Sequence, residues 1–151
     1  MIKIITVGQL KEKYLKEAQE EYLKRLKKYT KIEIIELKDE GLVEPQKAII
    51  LEGDKINNHL TGKEYIITLE IDGEQSTSET FSSKLDKIMV DHSDIAFIIG
   101  GSYGLSDSIK EKANWHLSFS KMTFPHQLFR VILLEQIYRA YKIQNNEKYH
   151  K

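Results

Sequence analysis

The chain has 151 residues, of which 40% are hydrophobic and 30% charged, and its 23 basic and 23 acidic side chains leave no net charge. This composition is typical of a soluble globular protein that is long enough to bury a sizeable core, so we expect residues 1–151 to form a single domain. The absence of cysteine excludes a disulfide scaffold, a thiolate metal site and a cysteine nucleophile.

The first predicted element is a buried strand at Ile2–Val7, where the residues are apolar and mostly β-branched. This apolar run is too short for a signal peptide, and no other run approaches the ~20 residues of a membrane span. We therefore expect a cytoplasmic protein with no membrane contact.

The spacing of apolar residues then predicts helices over residues 9–29 and 46–60, on either side of a second strand at Ile32–Leu37. A third strand is predicted over residues 65–71, and we expect the Asp72-Gly73 pair to close it with a turn.

The second half of the chain continues the alternation. The spacing of Ser76 and Glu79 is that of a capping box, which predicts a helix from there to about Val90. The remaining predicted elements are an apolar strand at Ile95–Ile99, a short helix over 106–114 capped by Ser106 or Ser108, a short strand over 117–120 and a last helix over 126–144.

Strands that alternate with helices predict an α/β fold, with a mostly parallel sheet covered by helices on both faces. In such sheets, ligands bind beyond the carboxyl ends of the strands. Three segments end at that edge, residues 69–73, 99–102 and 118–121, and we expect the functional site where they converge.

The charges are unevenly spread along the chain. Residues 1–31 and 112–151 each carry a net charge of +5, whereas residues 32–60 carry −4 and residues 61–111 carry −6. Two basic ends around an acidic middle allow a local basic face that contacts phosphate. From charge alone, an ordinary solvated surface is the simpler interpretation.

A glycine-rich turn, IIGGSYGL at 98–105, joins a predicted strand to a helix. Glycines let the backbone approach a ligand and adopt positive φ. Their spacing matches neither GxGxxG nor a phosphate loop, which argues against a Rossmann dinucleotide site or an ATP site. A tight turn without any ligand explains the motif equally well.

Polar residues precede the last helix, which is apolar on nearly every face. His126 lies at its predicted N-terminus, where free N–H groups attract anions, so it is either a catalyst or a structural hydrogen-bonding residue. Arg130 and Arg139 lie on the helix itself. Because so many apolar positions cannot face one small core, the helix is central in the fold, pairs with another chain, or does both.

Tyr149 and His150 lie in a polar tail, and this composition favours disorder, although the tail could instead fold over a site. No group of His, Asp and Glu has the spacing of a metal site, so we expect no metal. There is no Ser-His-Asp signature either.

Several segments together resemble a known family over essentially the whole chain, the bacterial large-subunit (23S) rRNA pseudouridine-N3 methyltransferases of the SPOUT class. The segment LSFSKMTFPHQLFRVILLEQIYRAYKI (117–143) and the terminal YHK (149–151) carry most of this resemblance. The other matching segments are VGQLKEKY (7–14), EEYLKRLKKYTKIEIIEL (20–37), TLEIDG (68–73) and FIIGGSYGL (97–105). Residues 38–60 are shorter than in that family.

The resemblance implies a trefoil knot in the C-terminal part, S-adenosylmethionine as the cofactor, and a homodimer. It also implies methylation of N3 of a pseudouridine in 23S rRNA on the assembled ribosome. The cofactor contacts that it implies are Leu69, Gly100, Phe119, Ser120, Lys121, Met122, Thr123 and Phe124.

The imide proton on N3 must leave, so a base or a stabiliser of the imide anion would help. The candidates are His126, Arg130 and His150, with Tyr149 as a stacking or hydrogen-bonding partner. Basic residues of the first helix are candidates for gripping rRNA phosphates. Two alternatives are a non-catalytic ribosome- or RNA-binding module of the same fold, and a small nucleotide- or flavin-binding α/β protein.

Overall fold

Five strands and five helices alternate along the chain in the computed structural model, which describes residues 1–151. The strands are β1 (Ile2–Val7), β2 (Ile32–Leu37), β3 (Tyr65–Gln75), β4 (Ile95–Ile99) and β5 (Trp115–Ser118). The helices are α1 (Lys13–Leu26), α2 (Pro45–Asn58), α3 (Ser78–Asp91), α4 (Asp107–Lys112) and α5 (His126–Gln144).

The strands form one sheet in the order β2-β1-β4-β3-β5, and every neighbouring pair is parallel. Strand β4 lies at the centre and is buried along its whole length. Its uninterrupted apolar sequence suits this position, because both of its faces are covered by helices. The predicted α/β fold with a parallel sheet is confirmed.

Helices cover both faces of the sheet, as the sequence predicts. One face carries α1, α3 and α5, and its core contains 18 buried apolar residues, including Phe97 and Leu133. The other face carries α2 and α4 over a smaller core of 8 residues. Helix α5 packs against both α1 and α3. Its central position explains why it is apolar on most faces.

Several predicted boundaries are wrong by a few residues, including the end of α1, which is at Leu26 and not at residue 29, and the end of β5, which is at Ser118 and not at residue 120. Helix α1 begins at Lys13, later than predicted, and β5 begins two residues earlier than predicted, at Trp115. The cap of α3 is Thr77 rather than Ser76, since the Thr77 side chain accepts a hydrogen bond from the Thr80 amide over 3.0 Å. The alternative Ser106 cap of α4 is confirmed by its acceptance of the Ile109 amide.

The Asp72-Gly73 pair does not end β3, which continues to Gln75 after a bulge. Leu69 and Glu74 both lie opposite Leu117 of β5, so the residues between them leave the ladder. A turn signal in the sequence therefore marks a bulge within the strand.

The tail after α5 is ordered, so the expectation of disorder is wrong. The Tyr149 ring packs edge-on against Tyr138 with 4.9 Å between ring centroids. Glu147 pairs with Lys142 of α5 over 2.7 Å and with Lys28, just after α1, over 3.4 Å. The two basic ends of the chain thus lie side by side.

No helix of the chain has both the length and the apolar character that crossing a membrane requires. No group of three or more His, Asp or Glu side chains is arranged to hold a metal ion.

Candidate active site

A cavity of about 410 Å³ opens at the carboxyl edge of the sheet, where β3, β4 and β5 end. The three segments that the sequence places at this edge all contribute to its wall. Its volume lies in the range of small-molecule binding sites.

Most of the cofactor contacts that the resemblance implies meet at this cavity. Lys121 is the exception, because it is exposed and does not form part of the wall. The implied residues that line the cavity are Leu69, Gly100, Phe119, Ser120, Met122, Thr123 and Phe124.

The glycine-rich turn forms one wall with its backbone. The Gly104 amide donates to the Gly101 carbonyl over 3.0 Å, and Gly104 adopts a positive φ of 86°. A Cβ on Gly100 would lie 2.9 Å from the backbone carbonyl of Gly104. The turn therefore needs glycine at both positions, and a ligand can approach its bare backbone.

Aromatic rings form the opposite wall. Phe119 meets Phe129 of α5 edge-on with 5.1 Å between centroids, and Phe124 stacks on the same ring at 5.8 Å. Within the loop, the Met122 amide donates to Ser120 Oγ over 3.0 Å. These contacts hold the loop between β5 and α5 against the helix.

His126 is the first residue of α5, and its exposed side chain lines the cavity. Pro125 precedes it and fixes the direction in which the chain enters the helix. Of the four predicted catalytic residues, only His126 belongs to the cavity of its own chain.

Arg130 lies elsewhere, with 1% of its side chain exposed. Its Nη1 donates to Glu36 Oε2 over 2.5 Å, and its Nη2 donates to the Gly8 carbonyl over 3.0 Å. Burial raises the pKa of Glu36, but the hydrogen bonds from Arg130 and the Leu10 amide, together with the positive charge of Arg130, outweigh burial and hold this pKa below its usual value. Arg130 thus ties α5 to the first two strands.

Tyr149 and His150 lie together near the far end of α5. His150 Nε2 is 2.6 Å from Glu79 of α3, and its Nδ1 is 3.0 Å from Arg139 Nη1. Since arginine can only donate, Nδ1 accepts and the proton is on Nε2. Arg139 is 13 residues along the helix from His126, which is about 20 Å.

The Tyr149 hydroxyl donates to Glu135 over 3.1 Å. Burial and this neighbouring carboxylate raise the pKa of Tyr149 to about 12. The phenol therefore remains protonated at neutral pH, which suits hydrogen bonding and stacking and not proton abstraction.

Three charged residues of the cavity wall were not among the predicted site residues, although two of them lie in the segment 69–73 that the sequence places at the site. Glu70 and Asp72 belong to the bulge of β3, and Lys110 comes from α4. The position of Glu70 beyond Leu69 at a strand end was a usable signal. Nothing in the sequence marks Lys110 out from other exposed lysines.

Comparison with known proteins gives a match over the full chain. The sequence model of the family described as "Predicted SPOUT methyltransferase" matches residues 1–150. The chain is 51% identical to the ribosomal RNA large subunit methyltransferase H of Clostridium acetobutylicum, over 99% of both chains. It is 52% and 50% identical to the proteins of the same name from Clostridium botulinum and Streptococcus gordonii, again over 99% of each chain.

The chain is also similar to a solved structure, that of a probable methylase family protein from Haemophilus influenzae Rd KW20. The TM-score is 0.56 over 99% of this chain and 70% of the other, at 13% sequence identity. This likeness concerns the fold.

Proposed function

Because the chain belongs to the SPOUT methyltransferase family, we propose that it transfers a methyl group from S-adenosylmethionine to N3 of a pseudouridine in 23S rRNA. The full-length similarity to ribosomal RNA large subunit methyltransferases supports rRNA as the substrate. The proposed acceptor is the assembled ribosome, and the proposed location is therefore the cytoplasm. Residues 1–151 act as one domain in this proposal.

The cavity at the carboxyl edge of the sheet carries the proposal, because its residues fit the cofactor. S-adenosylmethionine supplies an activated methyl group on a sulfonium. The bare backbone of Gly104, which has no atom within 4 Å of its Cβ position, allows close approach, and the rings of Phe119 and Phe124 offer apolar surface for an adenosine. Carboxylates of Glu70 and Asp72 suit a ligand that carries positive charge and hydrogen-bond donors.

We propose that His126 is the residue that assists the removal of the proton from N3. It is the one predicted catalytic side chain in the cavity wall, and its exposed imidazole can meet the uracil ring of the substrate. An imidazole there can accept the imide proton or stabilise the imide anion. Alignment of the acceptor with the methyl donor by the surrounding loops supplies the remaining acceleration.

We further propose a homodimer in which the tail of one subunit completes the site of the other. Tyr149 and His150 are ordered, yet they contact Glu135 and Arg139, which lie about 14 Å and about 20 Å along α5 from His126 of their own chain. Exposed apolar residues at the start of α5 and on α1, Leu128 and Tyr14, provide surface for a second copy. Arg130 then acts by fixing the position of α5.

The C-terminal trefoil knot also belongs to this proposal. Strand β5 lies at the edge of the sheet, whereas α5, which follows it, returns to the centre between α1 and α3. A chain that leaves the edge strand β5 and returns to the centre in this way is compatible with a C-terminal knot.

The adjoining basic ends of the chain form the proposed rRNA-contacting surface. Lys28, which follows Lys24 and Arg25 in the sequence, lies next to Lys142, since Lys28 and Lys142 share Glu147 as a partner. Cations on such a face contact phosphates and orient the protein, and the cavity selects the base.

The test is transfer of label from S-adenosylmethionine to ribosomes and to free large subunits that lack the modification. Label on rRNA of the ribosome supports the proposed methyl transfer to the assembled particle. Binding of the cofactor without transfer to either particle would instead favour a non-catalytic ribosome-binding module.

A further inference from the structure

The bulge of β3 is a fixed part of the cavity wall. Its residues Glu70, Ile71 and Asp72 all line the cavity. The Ser118 hydroxyl donates to the Ile71 carbonyl over 2.8 Å. A Cβ on Gly73 would lie 2.8 Å from the carbonyl oxygen of His116, so the bulge is packed directly against the β5 backbone. The side chains of the bulge are therefore presented on a rigid support.

Glu70 is held by one of its two carboxylate oxygens. Oε2 accepts a hydrogen bond from Thr68 Oγ1 over 2.6 Å and also pairs with Nδ1 of His116. Thr68 is completely buried, and 16% of the Glu70 side chain is exposed. The second oxygen, Oε1, forms no hydrogen bond within the chain. Two contacts thus orient this carboxylate, and one oxygen is left for a ligand.

We propose that Glu70 binds the cofactor, with Oε1 accepting a hydrogen bond from a hydroxyl or amino group of S-adenosylmethionine and Thr68 acting as the positioning residue. The inference rests on the proposed function, which puts that cofactor in the cavity. An ionised carboxylate can only accept, so its partner must be a donor. The ribose hydroxyls, the adenine amino group and the α-ammonium group all qualify. Because Thr68 and His116 occupy only Oε2 and hold the carboxylate in place, Oε1 is presented to such a donor with little freedom left to lose on binding.

The experiment is calorimetric titration of S-adenosylmethionine, S-adenosylhomocysteine and methylthioadenosine into the wild type and Glu70→Ala. Glu74→Ala is the matched control, because Glu74 lies on the same strand but is exposed and outside the cavity. We expect Glu70→Ala to weaken S-adenosylmethionine and S-adenosylhomocysteine about tenfold, as loss of a charge-assisted hydrogen bond does. The control should bind like the wild type.

Methylthioadenosine distinguishes the hydrogen-bond donors of the adenosine from the α-ammonium group, because it lacks the amino acid part of S-adenosylmethionine. A similar loss for all three ligands assigns the donor to the adenosine, and a loss for the first two alone assigns it to the α-ammonium group. Unchanged affinity of Glu70→Ala for S-adenosylmethionine overturns the inference and leaves the proposed function standing. A wild type that binds none of the three ligands overturns both.

The positioning role of Thr68 is tested by a double-mutant cycle. We expect Thr68→Val to weaken S-adenosylmethionine several-fold in the wild type and to have no further effect in Glu70→Ala, because the two residues act through one contact. An equal loss in both backgrounds would show that Thr68 acts through the fold alone and would overturn its assignment.

Discussion

The guanidinium of Arg130 lies 2.5 Å from the carboxylate of Glu36, and this contact joins α5 to the edge strand β2. The same carboxylate oxygen accepts the Leu10 amide over 3.1 Å. Helix α5 begins at the cavity with His126. The position of the His126 side chain in the cavity therefore depends on where the Arg130–Glu36 pair holds the helix.

Replacing Arg130 with leucine should lower the free energy of unfolding by about 3 kcal/mol, because Glu36 and the Gly8 carbonyl lose a buried charged donor. Urea denaturation measures the change. Arg25→Gln is the control, since Arg25 pairs with Glu21 on the exposed face of α1 and should cost less than about 1 kcal/mol. Unchanged stability of Arg130→Leu with lost methyl transfer would instead support a direct catalytic role.

Gly100→Ala should weaken binding of S-adenosylmethionine, because the new Cβ would lie 2.9 Å from the Gly104 backbone and must displace the turn. A displacement of this kind costs on the order of 1–3 kcal/mol, which corresponds to a loss of roughly 5- to 150-fold in affinity if the bound state carries this cost. In Gly41→Ala, the matched control, the new Cβ meets only the flexible Asp39 carboxylate, and binding should not change. Equal affinities of Gly100→Ala and the wild type would contradict this account of the cavity.

His126→Ala should lose methyl transfer by at least a hundredfold and keep its affinity for S-adenosylmethionine, because the imidazole acts on the acceptor proton. His59→Ala, a change of an exposed histidine away from the cavity, should leave both quantities unchanged. Full turnover in His126→Ala would remove His126 from the reaction.

Subunit mixing extends this prediction to the tail. If His150 serves the partner's site, then His126→Ala and His150→Ala homodimers are each inactive, and mixed dimers recover one intact site. The expected recovery is about a quarter of wild-type activity for a random equal mixture, because half of the dimers are mixed and each has one of two sites. No recovery after exchange of subunits would place the tail's action within its own chain.

Replacing Lys24, Arg25 and Lys28 together with glutamine should weaken binding to the ribosome and flatten its dependence on salt. Each lost phosphate contact lowers the slope of log K against log salt by about 0.7 to 0.9. Substitution of the exposed residues Lys47, Lys63 and Lys87 makes the same change of net charge elsewhere on the surface and should have little effect. Equal losses in the two triple variants would show that overall charge, and not this face, attracts rRNA.

Acid should destabilise the protein in part through Glu64. Burial raises its pKa, but hydrogen bonds from the Thr61 amide and Lys3 outweigh burial and lower the pKa to about 2. A depressed folded-state pKa gives stability that is present above the unfolded pKa of about 4.3 and is lost as the pH falls toward 2. Glu64→Gln should therefore cost about 3 kcal/mol at pH 7, and the difference from the wild type should vanish near pH 2.

Unfolding curves in urea across this pH range measure the effect. Glu33→Gln on the exposed side of β2 is the control and should follow the wild type at every pH. A Glu64→Gln variant that is equally destabilised at pH 7 and pH 2 would show that the charge of Glu64 is not the cause.

The sequence predicts the sheet and the position of the cavity because strand residues such as Phe97 and Ile98 are apolar on both faces and because parallel strands end at one edge. It also predicts α5 to the residue, since Pro125 limits where this helix can begin. The resemblance to SPOUT-class rRNA methyltransferases is confirmed by the full-length matches.

Long-range pairing explains what the sequence could not predict. The bulge at Asp72 depends on how β3 meets β5, and the same two residues are a turn signal when taken alone. The order of the tail depends on contacts of Tyr149 with Tyr138 and of His150 with Glu79, which lie 11 and 71 residues away. The distance of Arg130 from the cavity depends on its pairing with Glu36, 94 residues earlier in the chain.

The most direct test of the proposed activity is to incubate the protein with methyl-labelled S-adenosylmethionine and ribosomes that lack the modification, and then to map the labelled nucleotide by mass spectrometry. The predicted result is one methyl group on N3 of a single pseudouridine in 23S rRNA, with transfer abolished in His126→Ala. Absence of label from rRNA, while the protein still binds S-adenosylmethionine, would contradict the assignment of this chain as an rRNA methyltransferase.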